Sequence, residues 1–505
     1  MSIVMKLQHL SRLVVVSILL PLVCACYDYD AHTDMAAPPQ IATANQYINL
    51  TITVSSGSGG TTRAPLGGED GDGREAGFAR ENFVEGITLM LYEEKAGAGI
   101  NTSSAETTLA FVAYFPVTRV SAPVDQGTSF NPATPSNKKE EAAYYTTGNQ
   151  SLENSGLDLT KSYRAIVVAN DNLTGTIRAG SKVTDVRDHT LTKIYDGDGM
   201  GTNARNFVMA SETDFSINFA APDEKITTTN GQTYYYFNKG IIIERLAARM
   251  DFWTKNAEYD ETKGGYVYTT TNGADEFVLT AVTPFNLYDN ALAGEYLIKR
   301  LGDADGNNVS YLKDEPDDYK DQDQQLYVLD PNTLTKTTSS SPLYMNRGFA
   351  LSAIMESNAN KMPMTDFQST KYTHTEEDGS TADNIIVCYP KENTLLKDSP
   401  LYYYATGLCI EGDYYKGGTG ASTHYVYYGY LRHQGEETGS YTITETLEKD
   451  KHGEFPMNFG VVRNNIYRIS IDEIAPKTTE EEKPGITLQI KVKKWDTFTH
   501  DIIYM

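Results

Sequence analysis

Few side chains in this 505-residue sequence stand at spacings that support catalysis. Its eight histidines are scattered, and none forms the H-E-x-x-H pair that holds zinc on one helix face. Neither a G-x-S-x-G nucleophile elbow nor a G-x-x-x-x-G-K-[S/T] phosphate loop occurs. The acidic clusters Asp196-Gly197-Asp198, Asp303-Ala304-Asp305-Gly306 and Asp317 to Asp323 offer oxygen ligands of the kind calcium takes. None keeps the calcium-loop spacing with glycine sixth and glutamate twelfth, and Asp and Gly are ordinary residues of solvated turns. The residues therefore predict no enzyme, no metal site and no cofactor.

The chemistry that the sequence does support is processing of the chain itself. Lys6 and Arg12 precede an apolar run from Leu13 to Val23, well short of the roughly 20 residues that span a bilayer as a helix. Residues 1–25 read as a signal peptide. Val23-Cys24-Ala25-Cys26 has the form of a bacterial lipoprotein box, which makes Cys26 the candidate lipidation site and the new amino terminus. Cys24 fits that role poorly because bulky Val23 precedes it, and Asp28 and Asp30 look like acidic surface-export signals. A secretory peptide cut nearby without lipid is the alternative. The second processing target is Arg63, in a stretch from Ser55 to Asn82 that holds eight glycines and almost no apolar residues. Such a composition predicts a protease-accessible hinge, which Arg74 and Arg80 share.

Length beyond 500 residues favours two domains over one core. A formal charge of −24 opposes binding to nucleic acid or to an anionic membrane surface, since a phosphate-reading protein needs a basic face. Any membrane contact is then through the lipid on Cys26. Beyond the leader only Cys388 and Cys409 remain, too few for a disulfide-dense scaffold. They lie in two strand-like runs, as a disulfide or as two buried thiols.

The elements that carry these residues read as strands, because apolar residues recur with period two and no long stretch sustains a helical repeat. The 35 tyrosines suit half-exposed strand faces, with a sugar-binding platform as the sharper reading of the clusters Tyr234–Tyr236, Tyr402–Tyr404 and Tyr425–Tyr430. Strands are expected at Ile87–Tyr92, Leu109–Tyr114, Tyr163–Asn170, Asn206–Met209 and Ile217–Phe219. A second group runs through Gly240–Phe252, Glu276–Val282, Ile385–Tyr389, Tyr402–Ile410, Tyr425–Arg432, Asn465–Ile471 and Ile486–Trp495, with a domain boundary near residue 240. Pro123–Asn149, Gly302–Gln325 and Ser357–Thr381 are expected surface insertions.

Two strands stand apart. Between Gln46 and Val54, Ile48, Leu50, Ile52 and Val54 alternate with polar residues, and the hinge isolates this strand from the rest. At the other end Ile486, Leu488, Ile490 and Val492 alternate in the same way and lead to Trp495. If the first strand fills a slot in a sheet, cutting after Arg63 makes it a removable peptide. Four such side chains bury about 1.5–3 kcal/mol each, so an emptied slot favours a strand from a neighbouring molecule. Donor and acceptor surfaces differ, so the contact is head-to-tail and grows into a filament.

The chain resembles the fimbrillins, the major shaft subunits of Bacteroidales type V pili, most closely the branch that forms minor or short fimbriae. The resemblance spans nearly the whole chain. It rests on the box at Cys26, Thr62-Arg63-Ala64, Val84 to Leu89, Tyr163 to Asn170, Glu244 to Arg249, Glu392-Asn393-Thr394 and, most specifically, Phe459 to Tyr467. It implies two tandem transthyretin-like β-sandwich domains with long surface loops, at 64–240 and 241–505, after a propeptide at 26–63. It further implies a precursor lipid-anchored to the outer membrane, cut between Arg63 and Ala64 by an Arg-specific secreted protease. Ile486, Leu488, Ile490, Val492 and Trp495 would then be a donor strand in a neighbour's groove. The implied partners are further copies of the chain, accessory tip and anchor subunits, and a receptor on a host or bacterial surface. Rival readings are an uncleaved tip or anchor subunit, a glycan-binding surface lipoprotein and a glycosidase.

Overall fold

Period-two patterning becomes an all-β chain in the computed structural model. It describes residues 39–55, 74–78, 80–94, 106–120, 143–211, 213–288, 292–302, 308–310, 327–332, 361–375, 379–394, 405–431, 439–443, 460–479 and 482–496. Among these residues helix is confined to short turns such as Val183–Arg187. The strands used below are, first, β1 (Gln46–Ser55), β2 (Arg74–Ala76), β3 (Gly86–Glu93), β4 (Leu109–Pro116), β5 (Ala143–Thr146), β6 (Ser162–Ala169), β7 (Met209–Ser211) and β8 (Thr233–Arg245). After them come β9 (Arg249–Trp253), β10 (Glu276–Phe285), β11 (Thr381–Cys388), β12 (Gly407–Tyr415), β13 (Ser422–Tyr430), β14 (Asn465–Ala475) and β15 (Gly485–Asp496).

The first group is ordered β4-β3-β6-β7-β8-β1-β5. β8 serves both faces of a sandwich, because Thr233 to Ile242 pair with β1 while Ile243 to Arg245 pair with β7. Ile48, Leu50, Leu89, Val167 and Phe237, each no more than 1% exposed, meet in the core between them. The second group packs two sheets around a second core. One is ordered β2-β15-β14-β9-β11 with Tyr372–Thr375 at its edge; the other runs from Ala257–Asp260 and Gly265–Thr269 through β10 and β12 to β13. Phe252, Ile385 and Ile469 of one face Phe277, Leu279 and Ile410 of the other.

Residue 240, the expected boundary, lies inside β8; the chain first enters the second core between Ala247 and Ala248 and returns to the first at Leu297, Ile298, Ile386, Tyr389 and Ile466. The single run expected from Gly240 to Phe252 is two strands for the same reason: the turn at Leu246–Ala248 ends β8 in one core and starts β9 in the other. The polar stretch Pro123–Asn149 contributes β5, where Tyr145 is 1% exposed, and Ser357–Thr381 contributes the edge strand Tyr372–Thr375. In each case tyrosine supplies the strand propensity that the polar surroundings conceal.

Candidate functional site

β1 is a central strand with both edges paired. It runs parallel to β8 from Gln46 opposite Thr233 to Ser55 opposite Ile242, and antiparallel to β5 from Thr51 opposite Thr146 to Val54 opposite Ala143. Ile48 and Leu50 are fully buried and Ile52 is 1% exposed, while Val54 continues the register opposite Ile241. The neighbours also grip its outer face. Tyr47 stacks on Tyr234 at 5.0 Å, and Asn49 donates to Asn149 Oδ1 and accepts from Thr146 Oγ1, both at 3.0 Å. Leu50 N–H donates to Thr147 Oγ1 at 3.0 Å. A strand that leaves this position uncovers an apolar trough and two rows of unpaired backbone groups.

In the single chain the carboxy-terminal strand is paired within its own sheet. β15 is antiparallel to β14 in its own sheet, and Ile486, Leu488, Ile490 and Val492, at 0 to 6% exposure, are buried in the second core of the same chain. Donating these four would therefore require them to leave the second core of their own chain. Trp495 pairs along its backbone with Glu75 of β2. The outer edge of β15 is shared by Gly439–Ile443, opposite Ile490 to Ile486, and by β2, opposite Lys494 to Asp496.

Of the stretch read as a hinge, the last described residues are fixed. Beyond β2, Phe78 is 1% exposed, Arg80 5%, and Glu81 and Asn82 fully buried. Glu81 gathers donors from both halves of the molecule: Phe78 N–H at 2.8 Å, Tyr389 Oη at 2.5 Å, Arg249 Nη1 at 3.2 Å and Arg80 Nη2 at 3.3 Å. Its backbone carbonyl accepts from Arg245 Nε at 3.1 Å, and Arg245 Nη1 also reaches Asn464 Oδ1 at 3.1 Å. The guanidinium groups of Arg80 and Arg249 lie 5.0 and 5.3 Å from the Phe78 ring centroid. Burial, and after it the Glu81 carboxylate, push the Tyr389 hydroxyl pKa well up, so it stays a donor. Asp251 completes the cluster, held by Arg249 at 2.9 Å and Arg468 at 3.3 Å.

A second buried cluster centres on Arg463, whose Nη2 lies 2.7 Å from Glu295 and 2.9 Å from Glu392. Burial, reinforced by Glu392, raises the Glu295 pKa well above the usual glutamate value. Glu392 is held below it despite burial by the Arg463 charge. Nearby, Lys299 and Glu244 pair at 2.8 Å. The motifs that mark the sequence are thus mostly the internal fastenings of the molecule. Asn464 adopts the left-handed backbone at φ 58°, which asparagine tolerates, and donates its N–H to Ala247 O across the turn between the cores.

Cys388 and Cys409 are both buried free thiols, so of the two readings open from the sequence the structure has the unbonded one. Burial pushes the Cys409 pKa up to about 12 and that of Cys388 higher than usual as well. Asp196 and Asp198 belong to a turn, with Asp196 accepting from Asn206 and Asp198 from Met200 N–H; among the described residues no group of three metal-binding side chains occurs. Cys26, Arg63, Ala64, Tyr402–Tyr404 and the acidic clusters after residue 302 lie outside the described residues. Sequence reasoning missed Glu81, Asp251 and Arg468. The last two carried a signal, since each is a charge set inside an apolar strand run.

No family model and no curated protein matches the chain. Among solved structures it is similar to the tip fimbrial protein Mfa3 from Porphyromonas gingivalis with C-terminal truncation, at 10% identity over 89% of this chain and 100% of that one, with a TM-score of 0.35. A fimbrilin from P. gingivalis W83 is 11% identical over 90% and 99%, with a TM-score of 0.34. The fimbrial anchor protein Mfa2 from P. gingivalis is 8% identical over 90% and 100%, with a TM-score of 0.25. All three likenesses are distant.

Proposed function

We propose that this chain is a structural subunit of a cell-surface fimbria that assembles head-to-tail by strand exchange and supports adhesion. The observation that carries the reading is β1: a central strand of the first sandwich, buried on one face, that joins the rest of the chain only through the arginine-bearing hinge. On this reading the two cores are tandem transthyretin-like domains, and lipid on Cys26 holds the precursor at the outer membrane. An Arg-specific secreted protease cuts between Arg63 and Ala64, β1 leaves, and a segment of another copy occupies the slot. The donor on this reading is the β15 segment with Ile486, Leu488, Ile490, Val492 and Trp495, which would leave its own second core to fill the slot of the next copy. Tip and anchor subunits would end such a filament, and a receptor on a host or bacterial surface would be its target.

The test is incubation of purified precursor with an arginine-specific protease, followed by electron microscopy and an unheated gel. Filaments and a ladder of oligomers are expected from the parent chain and none from Arg63→Ala. Filaments from Arg63→Ala, with no cut elsewhere in the hinge, would overturn the reading. An uncut chain recovered from cells with its lipid would identify a tip or anchor subunit, and a monomer that binds a glycan array a surface lectin.

A further inference from the structure

The stretch read as a hinge carries Arg63, Arg74 and Arg80, and of these the structure describes the side chain of Arg80. Arg80 precedes Glu81 in a bond that arginine-directed proteolysis would attack in an open chain. A protease must draw several residues on either side of a bond into an extended strand. Here Phe78, Arg80, Glu81 and Asn82 are buried, and Glu81 N–H and Asn82 N–H both turn back to the Phe78 carbonyl, at 2.8 and 3.1 Å. The Arg80 guanidinium, the group a protease would have to bind, is engaged by Tyr389 Oη at 2.7 Å and Glu81 at 3.3 Å. Four to six residues upstream of Arg80, β2 is paired with β15 along Ala76 to Arg74.

We infer that the cluster centred on Glu81 is a clamp that sets the downstream limit of processing, shielding the Arg80–Glu81 bond and tying the cut end of the mature chain to the second core. It has a further consequence for the slot. Arg245, the last residue of β8, is held by the Glu81 carbonyl and by Asn464, so the clamp fixes the end of the strand against which any replacement for β1 must pair. The inference deepens the processing reading. Its test needs neither a fimbria nor the native protease, so the two can fail separately.

The precursor is treated with an arginine-specific endoprotease, products are identified by amino-terminal sequencing and intact mass, and the rate at each bond is divided by its rate in the urea-unfolded chain. In the parent chain no product beginning at residue 81 forms while hinge cutting runs to completion. Tyr389→Phe keeps every charge and removes two hydrogen bonds, the one donated to the Glu81 carboxylate and the one accepted from Arg80; it should speed the normalised cut after Arg80 by about tenfold to a hundredfold, as loss of charge-assisted bonds opens the segment. Glu81→Gln should do so by at least as much. Circular dichroism confirms that each variant is folded, and if Glu81→Gln is not, Tyr389→Phe decides alone. A cut after Arg80 in the parent as fast as in the hinge overturns the inference, as does an unchanged rate in folded Tyr389→Phe.

Discussion

Leu50→Ala tests the slot most directly. Leu50 is fully buried at the middle of β1, and its truncation in a packed core costs about 2.7–5 kcal/mol. While the hinge is intact this lowers only the stability of the precursor. Once the hinge is cut, the same loss acts on retention of a separate peptide. At roughly 1.4 kcal/mol per factor of ten, retention should weaken by about a hundredfold to several thousandfold. The assay starts from a chain beginning at Tyr27 with a fluorophore on its amino terminus. It is cut with an arginine-specific protease, and fluorescence anisotropy follows escape of the peptide into buffer. Thr51→Ala, on the outer face of the same strand, should change the half-life by no more than a few-fold. Equal half-lives for the parent and Leu50→Ala, with both folded before cutting, would refute the view that apolar burial holds this strand.

Removal of Gly485–Met505 takes four buried side chains from the second core and should yield insoluble protein, as fractionation and circular dichroism would show. Glu295 predicts a pH dependence. Its folded pKa lies well above 4.5 through burial and the neighbouring Glu392, so the folded state keeps a proton that the unfolded chain releases, and stability falls as pH rises from that value. Melting temperatures between about pH 5 and pH 8 should therefore decline less steeply in Glu295→Gln, which is neutral throughout; an unchanged slope would contradict this assignment. In a chain beginning at Tyr27, Cys388 and Cys409 should resist a thiol reagent until the protein unfolds, and then both should react without prior reduction.

The strand character of the chain was legible because period-two burial is a local property: Ile48, Leu50 and Ile52 had to face one way wherever β1 went, and Ile486 to Val492 likewise. What these faces would meet was not local. Two strands with the same alternation proved to occupy different sheets, one against β8 and β5, the other against β14, because pairing is settled by which edges the rest of the chain leaves open. The hinge shows the same division from the opposite side. Glycine and charge from Ser55 to Asn82 spoke for a chain that cannot order itself, yet Phe78 to Asn82 are held by Tyr389, Arg249 and Arg245, all more than 160 residues away in sequence. A buried carboxylate is stable only where donors converge on it, and convergence of residues so far apart exists only once the two cores have formed.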